Sequence, residues 1–408
     1  MYPGYRQKGH APQVTMISNR RILTIQDISC VGQCSLTVAG PVISACGVEA
    51  CILPSALLSN HTGAGFHGFT FRDLTEDIPD IEAQWEEEGI RFDAVCTGYL
   101  GSEAQIALVK RIMERRLLPG GIKIVDPAMA DHGVLYQGFE LSFVERMAEL
   151  CGSADIILPN LTEACLMTGI EYRAGVLEES YVLALLRKLA EYGAKTIILK
   201  GISFEEGRLG NAVWETEKGD PRFYFTDRIR RSSHGTGDCF AAAFVGGIMQ
   251  GLTPFDAAAL AADFVVESIL QTEDDPEHWY GVKFERALPM LTARLNREKM
   301  RSRQAREHVG GRRRYIINGE NFRDTEGFYR EIDRVMTDGT IKTGHNLDAF
   351  NDILRGGFGK HGYGEPIELI WESFEKSRTE LGAERLLRIV SIILNREEDH
   401  DCALKIEF

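Results

Sequence analysis

From Arg20 onward, short apolar runs alternate with longer amphipathic stretches. The runs "RILTIQD", "EACILPSAL", "DAVCTGYL", "IKIVDPA", "DIILPN" and "KTIILKG" are apolar at consecutive positions, the pattern of strands buried on both faces of a parallel sheet. Between them, "SEAQIALVKRIMERRLL" and "EESYVLALLRKLAEYG" place apolar residues at three- and four-residue steps, as helices with one buried face do. This alternation predicts a doubly wound α/β domain, its mostly parallel sheet flanked by helices. "GNAVWET" and "RFYFTDRI" read as an antiparallel addition at the later edge, and "PFDAAALAADFVVESILQT" as a buried helix.

The pattern stops near Leu295. "NREKMRSRQAREHVGGRRR" follows, strongly basic and closing on a Gly-Gly pair, which suits a linker or a frayed helix end. A second, smaller α/β unit then runs as strand "YIINGE", helices "DTEGFYREIDRVM" and "LDAFNDILRG", strand "IELIWES", helix "AERLLRIVSIILN" and strand "CALKIEF". The chain of 408 residues therefore divides into an extension over 1–19, a large domain over 20–297, a basic linker over 298–313 and a small domain over 314–408.

The formal charge of −14 argues against a general binder of nucleic acid or membrane surfaces and leaves small metabolites or basic proteins as partners. The nine cysteines are odd in number and mostly set among apolar neighbours, as reduced core thiols of a cytoplasmic protein would be. Cys30 and Cys34 lack the spacing and companions of a zinc site. No apolar run reaches the length of about 18 residues that a membrane span needs.

The stretch "SSHGTGDCFAAAFVGG", residues 232–247, has the form of an anion hole. Gly235 and Gly237 permit backbone conformations closed to other residues, and the helix that follows aims its positive end at whatever sits there. A transferring phosphoryl group is a natural occupant, and one carboxylate near an acceptor hydroxyl, Asp238, completes the minimal set. An ordinary helix cap with an acid in its first turn is the alternative. Gly235-Thr236-Gly237 lacks the third glycine of a dinucleotide fingerprint, and "GGFGKHG" puts His361 where a P-loop needs a hydroxyl.

"HGTGDCFAAAF" resembles the signature of the ribokinase superfamily, and residues 20–295 are similar to its pyridoxal kinase branch. "TIQD", "SNHTG", "TGYLGS", "VDPAM" and "LPNLTEA" support the branch by their order. The resemblance implies a ribokinase-like fold, ATP and Mg²⁺ as cofactors with a monovalent cation such as K⁺ as a further candidate, a B6 vitamer as acceptor, and a homodimer. It implies that Asp238 is the base and that Gly235, Thr236 and Gly237 surround the transferred phosphate. Asn160 and Glu163 match a motif that organises magnesium and phosphates, and Asp126 matches an acid near the metal. Thr62 matches a ligand of the pyridine substituents, with Ser59 and His61 as neighbours, while Lys200 and Gly201 border the nucleotide. Asp27 stands where many pyridoxal kinases carry serine, and a carboxylate there favours an aminomethyl cation. Hydroxymethylpyrimidine and sugar kinases of the same superfamily are the alternative.

"YIINGENF", "NLDAFNDIL", "IELIWESFEKS" and "CALKIEF" resemble barstar, an intracellular inhibitor of a guanyl-specific ribonuclease. Asp348 and Asp352, four apart on one helical face, match two of its contact acids, which implies a basic ribonuclease-like partner and leaves, as a second alternative, a protein that acts mainly as a ribonuclease inhibitor or binding partner through this domain. The chain departs from barstar at Lys342, Thr343 and Asn351, where aromatics are expected, and at Ile392, where an acid is expected.

Overall fold

The computed structural model describes residues 20–407 except 64, 231–233, 310, 311, 338, 340 and 395–399, with side chains from Met300 to Val309 left aside. The extension read over residues 1–19 lies outside the described residues, as do Ser232 and Ser233 of the glycine motif. The chain forms two compact units, one ending at Lys299 and the other beginning at Met300.

The larger unit is built on strands β1 (Arg21–Ser29), β2 (Glu49–Leu58), β3 (Phe71–Asp73), β4 (Phe92–Thr97), β5 (Leu117–Val125), β8 (Ile156–Ile157), β9 (Thr196–Ile202), β10 (Arg208–Glu215) and β11 (Arg222–Asp227), with a separate hairpin of β6 (Ala130–Asp131) and β7 (Val134–Leu135). The nine strands lie in the order β11-β10-β9-β8-β5-β4-β1-β2-β3. The six from β9 to β2 run parallel, and antiparallel strands close both edges. Because β1 pairs with β2 on one side and β4 on the other, the winding reverses at β1, and the carboxyl ends of β1 and β4 mark the switch point where such sheets take ligands.

Helices cover both faces. α1 (Leu36–Ala45), α7 (Thr236–Met249), α8 (Pro254–Glu273) and α9 (Phe284–Glu307) lie on one side, and α2 (Ile78–Glu87), α3 (Glu103–Arg115), α4 (Leu141–Gly152), α5 (Leu161–Thr168) and α6 (Glu179–Ala190) on the other. Consecutive strand residues supply the two cores in turn. Ile22, Ala94, Ile124, Ile156 and Ile198 join the first layer, and Leu23, Val95, Val125, Ile157 and Ile197 the second. That two-sided burial is why these strands read as unbroken apolar runs.

The stretch read as a linker continues α9 to Glu307 and then pairs as β12 (His308–Val309) with β13. Its Arg, Lys, Gln, Glu and Met residues are good helix formers, which outweighs the absence of an apolar stripe. The smaller unit has strands β12, β13 (Arg312–Asn318), β14 (Ile367–Glu372) and β15 (Cys402–Ile406) in that order, the last three parallel. Helices α10 (Thr325–Thr337), α11 (Leu347–Arg355), α12 (Phe374–Leu381) and α13 (Ala383–Leu394) complete it. Phe328 stacks on Trp371 at its centre, with Phe322 and Phe350 edge-on to Phe328. All nine cysteines are free thiols, and no helix among the described residues is long and apolar enough to cross a membrane.

Candidate active site

Loops at the carboxyl ends of the parallel strands bring together the acids that the sequence scatters over more than two hundred positions. Asp27 lies within β1, Asp126 just follows β5, Glu163 opens α5 after β8, and Asp238 lies in the first turn of α7. Asp27, Asp126 and Glu163 are buried at 5%, 7% and 2% exposure, so none is a solvated surface acid. Lys200, on β9, reaches in among them and places its Nζ 2.7 Å from Asp126 Oδ2, both side chains being largely enclosed. It is therefore an interior cation and not a solvated strand end.

Each acid is held by a local reason. The Asn160 side chain accepts the N–H of Glu163 at 2.9 Å, while the Asn160 N–H donates to Glu163 Oε2 at 2.7 Å, a reciprocal capping box at the start of α5. Glu163 Oε1 also accepts the N–H of Met129 at 3.3 Å, and Asn160 Nδ2 donates to Ala130 O at 2.8 Å, so the pair locks the β5–β6 segment onto α5. Asp27 Oδ2 accepts the Ser29 hydroxyl at 2.9 Å. Asp238 receives the backbone N–H of Ser35, whose own φ of 50° is left-handed. Gln33, with φ 45°, shares that strain, and left-handed non-glycine residues on one loop mark a geometry the surrounding structure enforces.

The turn before α7 explains its glycines. Gly235 is the N-cap with φ 76°, and a Cβ there would run into Gln33 O, so this position demands glycine both for conformation and for close approach. A glycine N-cap has no side chain to offer the first turn, so capping falls to other groups or to a bound anion. Gly237 is exposed at this mouth and Asp238 half-buried.

Asp126, Glu163 and Asp238 act on Lys200, and Asp27 acts on Asp238, so acid groups outnumber the one cation and crowd one another. Burial, then Asp27 and Asp126, raise the Asp238 pKa to about 7 against the opposing pull of the Ser35 N–H and Lys200. Asp238 keeps a path to solvent, yet enough protein surrounds its carboxyl for burial to lead. Burial and then Asp126 raise Glu163 to about 8. Burial raises Asp126 as well, while Lys200 draws it back, and burial raises Asp27 against two serine hydroxyls. Lys200 loses basicity by burial but gains more from Asp126 and Glu163, so it remains charged.

The glycine-rich turn, Asp238, Asp126, Glu163, Asn160 and Lys200 thus form one group, joined by Asp27. Gly201 follows Lys200 as an exposed residue with φ 78°. Ser59 and Thr62 are exposed on the segment after β2, where Ser59 Oγ accepts the N–H of Thr70 at 2.9 Å and donates to Asn60 Oδ1 at 2.7 Å. His61 is half-buried, its Nδ1 accepting the Gly63 N–H at 3.0 Å. Sequence reasoning missed Ser35 and Tyr136. Tyr136 is 40% exposed as a residue, yet the protein around its hydroxyl raises the phenol pKa, with Glu163, Asp131, Asp238 and Asp126 adding to the lift, which places that hydroxyl by the same acids. Its position nine residues after the "VDP" strand end was the available signal.

In the smaller unit, Asp348 and Asp352 are exposed on α11, and Arg355 Nη1 lies 3.1 Å from Asp352 Oδ1. Thr343 donates its N–H and hydroxyl to Asp333 Oδ1 at 3.0 and 2.6 Å, Lys342 is exposed, and Ile392 packs against the core. Phe358 and Tyr363 are exposed on the loop that leaves α11.

Residues 42–281 match the phosphomethylpyrimidine kinase family model, and residues 313–406 match that of barstar (barnase inhibitor). A pyridoxine/pyridoxal/pyridoxamine kinase of Bordetella avium is 26% identical over 267 residues, covering 62% of this chain and 85% of the relative. Among solved structures, a Bacteroides thetaiotaomicron chain described as a phosphomethylpyrimidine kinase and crystallised with pyridoxal is 31% identical, with a TM-score of 0.63 over 67% of this chain and 95% of its own. The pyridoxal kinase of Lactobacillus plantarum is 29% identical, with a TM-score of 0.62 over 68% of this chain and 98% of its own.

The electrostatics carry a sign that can be checked. An unfolded aspartate titrates near 3.9, so with Asp238 at about 7 the folded chain holds more protons between those values and loses stability as pH rises through them. Asp238→Asn removes that loss. Thermal unfolding of the ligand-free chain at pH 8 should shift up by about 2–4 °C in the variant, with most of that gain gone at pH 4.5. A difference independent of pH would contradict the assignment.

Proposed function

The chain belongs to the phosphomethylpyrimidine kinase family, and from that premise we propose that it transfers the γ-phosphoryl group of ATP to the hydroxymethyl group of a B6 vitamer. The observation that carries the reading is Asp238, a carboxyl with a pKa near 7 at the mouth of a glycine-capped helix, with a buried lysine close by. A base with that pKa is unprotonated in part at neutral pH and strong enough to accept a proton from an alcohol as attack begins.

In the proposed mechanism the vitamer lies against the Ser59–Thr62 segment, its pyridine substituents bonded by Thr62, with its hydroxymethyl group directed at Asp238. Asp238 takes the hydroxyl proton while the oxygen attacks the γ-phosphorus in line. The bond from that phosphorus to the β,γ-bridging oxygen breaks, ADP leaves with the electron pair, and the proton passes from Asp238 to solvent. The Gly235–Thr236–Gly237 backbone and the first-turn dipole of α7 stabilise charge on the equatorial oxygens, while Lys200 and Gly201 border the phosphates.

Magnesium fits this site as a hydrated ion carried by the nucleotide. Among the described residues no group of three His, Cys, Asp or Glu could cage a metal, Asp126 is paired with Lys200, and both Glu163 oxygens take backbone N–H groups. Asp126, Glu163 and Asn160 would hold its waters, and the ion would offset the surplus charge.

Asp27 sets the acceptor preference in this reading, as a buried carboxylate that favours an aminomethyl cation. The small unit is a barstar-like domain, and the exposure of Asp348 and Asp352 supports a second, binding role toward a basic ribonuclease-like partner, with Phe358 and Tyr363 as candidate anchors. A homodimer of the kinase unit is supported by the β2–β3 edge, where Ile52, Leu57, Phe69 and Phe71 are exposed.

Incubating the full chain with ATP, Mg²⁺ and each of pyridoxamine, pyridoxal, pyridoxine and hydroxymethylpyrimidine should yield phosphorylated vitamer by mass spectrometry. Asp238→Asn should lower kcat by about 10²–10⁴-fold. Phosphorylation of hydroxymethylpyrimidine alone would sink the vitamer reading. Asp27→Ser should reduce pyridoxamine use relative to pyridoxal by about tenfold, and an unchanged ratio removes Asp27 from specificity. Sedimentation of the full chain should show a dimer, with a small basic guanyl ribonuclease co-sedimenting unless Asp348 and Asp352 are both alanine. A monomer, or co-migration indifferent to those substitutions, would refute the corresponding assembly.

A further inference from the structure

His61 stands where three loops meet. Its backbone N–H donates to Val31 O at 2.8 Å, which ties it to the β1–α1 loop. Its Nδ1 accepts the N–H of Gly63 at 3.0 Å, which closes the substrate segment on itself. Its ring lies 4.8 Å from that of His234, the planes tilted by 50°, and His234 is the residue directly before Gly235 of the phosphate turn. The packing there is close: a Cβ on Gly63 would run into both imidazoles. Burial first, and then His234, depress the His61 pKa to about 4, so the ring is neutral at working pH and Nδ1 is free to accept. With Nδ1 accepting, the ring proton sits on Nε2.

We infer that the contact between the His61 and His234 rings is the positioning element that sets the acceptor-bearing segment at a fixed distance from the phosphate turn. The inference rests on the kinase reading above, because it assigns the acceptor to Ser59–Thr62 and the phosphoryl group to Gly235–Asp238. In-line transfer depends on that distance, since a displacement of about 1 Å between reacting groups lowers a rate by about 10²-fold. The two segments belong to separate elements, one trailing β2 and the other leading α7; the β1–α1 loop touches each, and the ring contact joins them directly. His61 then acts through His234 as a positioning residue, which differs from the direct substrate neighbour that the sequence suggests.

The roles can be separated in the full chain. His61→Asn keeps an oxygen that accepts the N–H two residues on, as asparagine does in turns, but removes the ring. His234→Ala removes the ring from the other side, and His234→Phe restores one. Phosphorylated vitamer is counted by mass spectrometry, and ADP is counted in the same samples. Each ring-deleting variant should lower kcat by about 10–100-fold, with the KM for ATP within about twofold of the parent. ADP released per phosphorylated vitamer should rise, because a misaligned acceptor leaves water to compete. The double variant should be no worse than the more impaired single one, and His234→Phe should bring the ADP-to-product ratio back to within about twofold of the parent. Losses that multiply in the double variant, or a change confined to the acceptor KM at an unchanged ratio, would overturn the inference. A parent chain that phosphorylates no acceptor overturns the kinase reading itself, which is a distinct result.

Discussion

One buried cation beside Asp126, Glu163 and Asp238, with Asp27 acting on Asp238 in turn, is the constraint around which the larger unit is arranged. Lys200 pairs with Asp126 at 2.7 Å, yet Asp27, Glu163 and Asp238 stay close enough to raise one another's pKa values or that of a neighbour. Interior charge without compensation is expensive, and a chain that only needed to fold would not gather these acids. The arrangement makes sense if the deficit is met by a ligand that brings its own cations, as a metal-bound nucleotide does. In the proposed mechanism the same crowding gives Asp238 its strength as a base. An exposed aspartate would be too weak to take a proton from an alcohol at neutral pH, whereas an aspartate crowded by burial and like charge is well matched to the task.

The backbone around this group is built to bring separate segments within reach. The β1–α1 loop accepts left-handed positions at Gln33 and Ser35, which aims the Ser35 N–H at Asp238 and leaves Gln33 O against Gly235. The Asn160–Glu163 capping box serves two ends. It starts α5 as any good N-terminus would, and it fixes the β5–β6 segment through Met129 and Ala130. Glu163 is therefore both a first-turn acid of α5 and a member of the buried acid group, since the rigid cap is what holds the acid in place.

Much of the fold was legible because its signals are local. Each long parallel strand announces itself as an apolar run, and the Gly235-Thr236-Gly237-Asp238 turn needs its residue types for reasons that hold in isolation. The chain from Asn296 to Val309 was harder to read: its charged residues suggest a linker, but they are also strong helix formers, and propensity prevailed as far as Glu307. The short strands β3, β6 and β7 and the helix α12 left no periodic trace long enough to register. The sequence marks these residues one by one, but not the charge balance in which the structure places them. Nothing local reveals that Lys200 turns inward to Asp126, 74 positions away, or that Ser35 and His234 matter through a backbone N–H and a ring contact.

The smaller unit shows the same division between fold and site. Its aromatic core around Trp371 follows from apolar positions that the sequence displays openly, whereas the exposure of Phe358 and Tyr363 depends on a glycine-rich loop whose path the sequence leaves open. For the chain as a whole, the decisive quantity is the proton affinity of Asp238. The pH dependence of kcat/KM for vitamer phosphorylation reports the base of the free enzyme. If Asp238 is that base, the profile has an acid limb of unit slope with its midpoint near pH 7, and a profile that stays flat down to pH 5 would contradict this role.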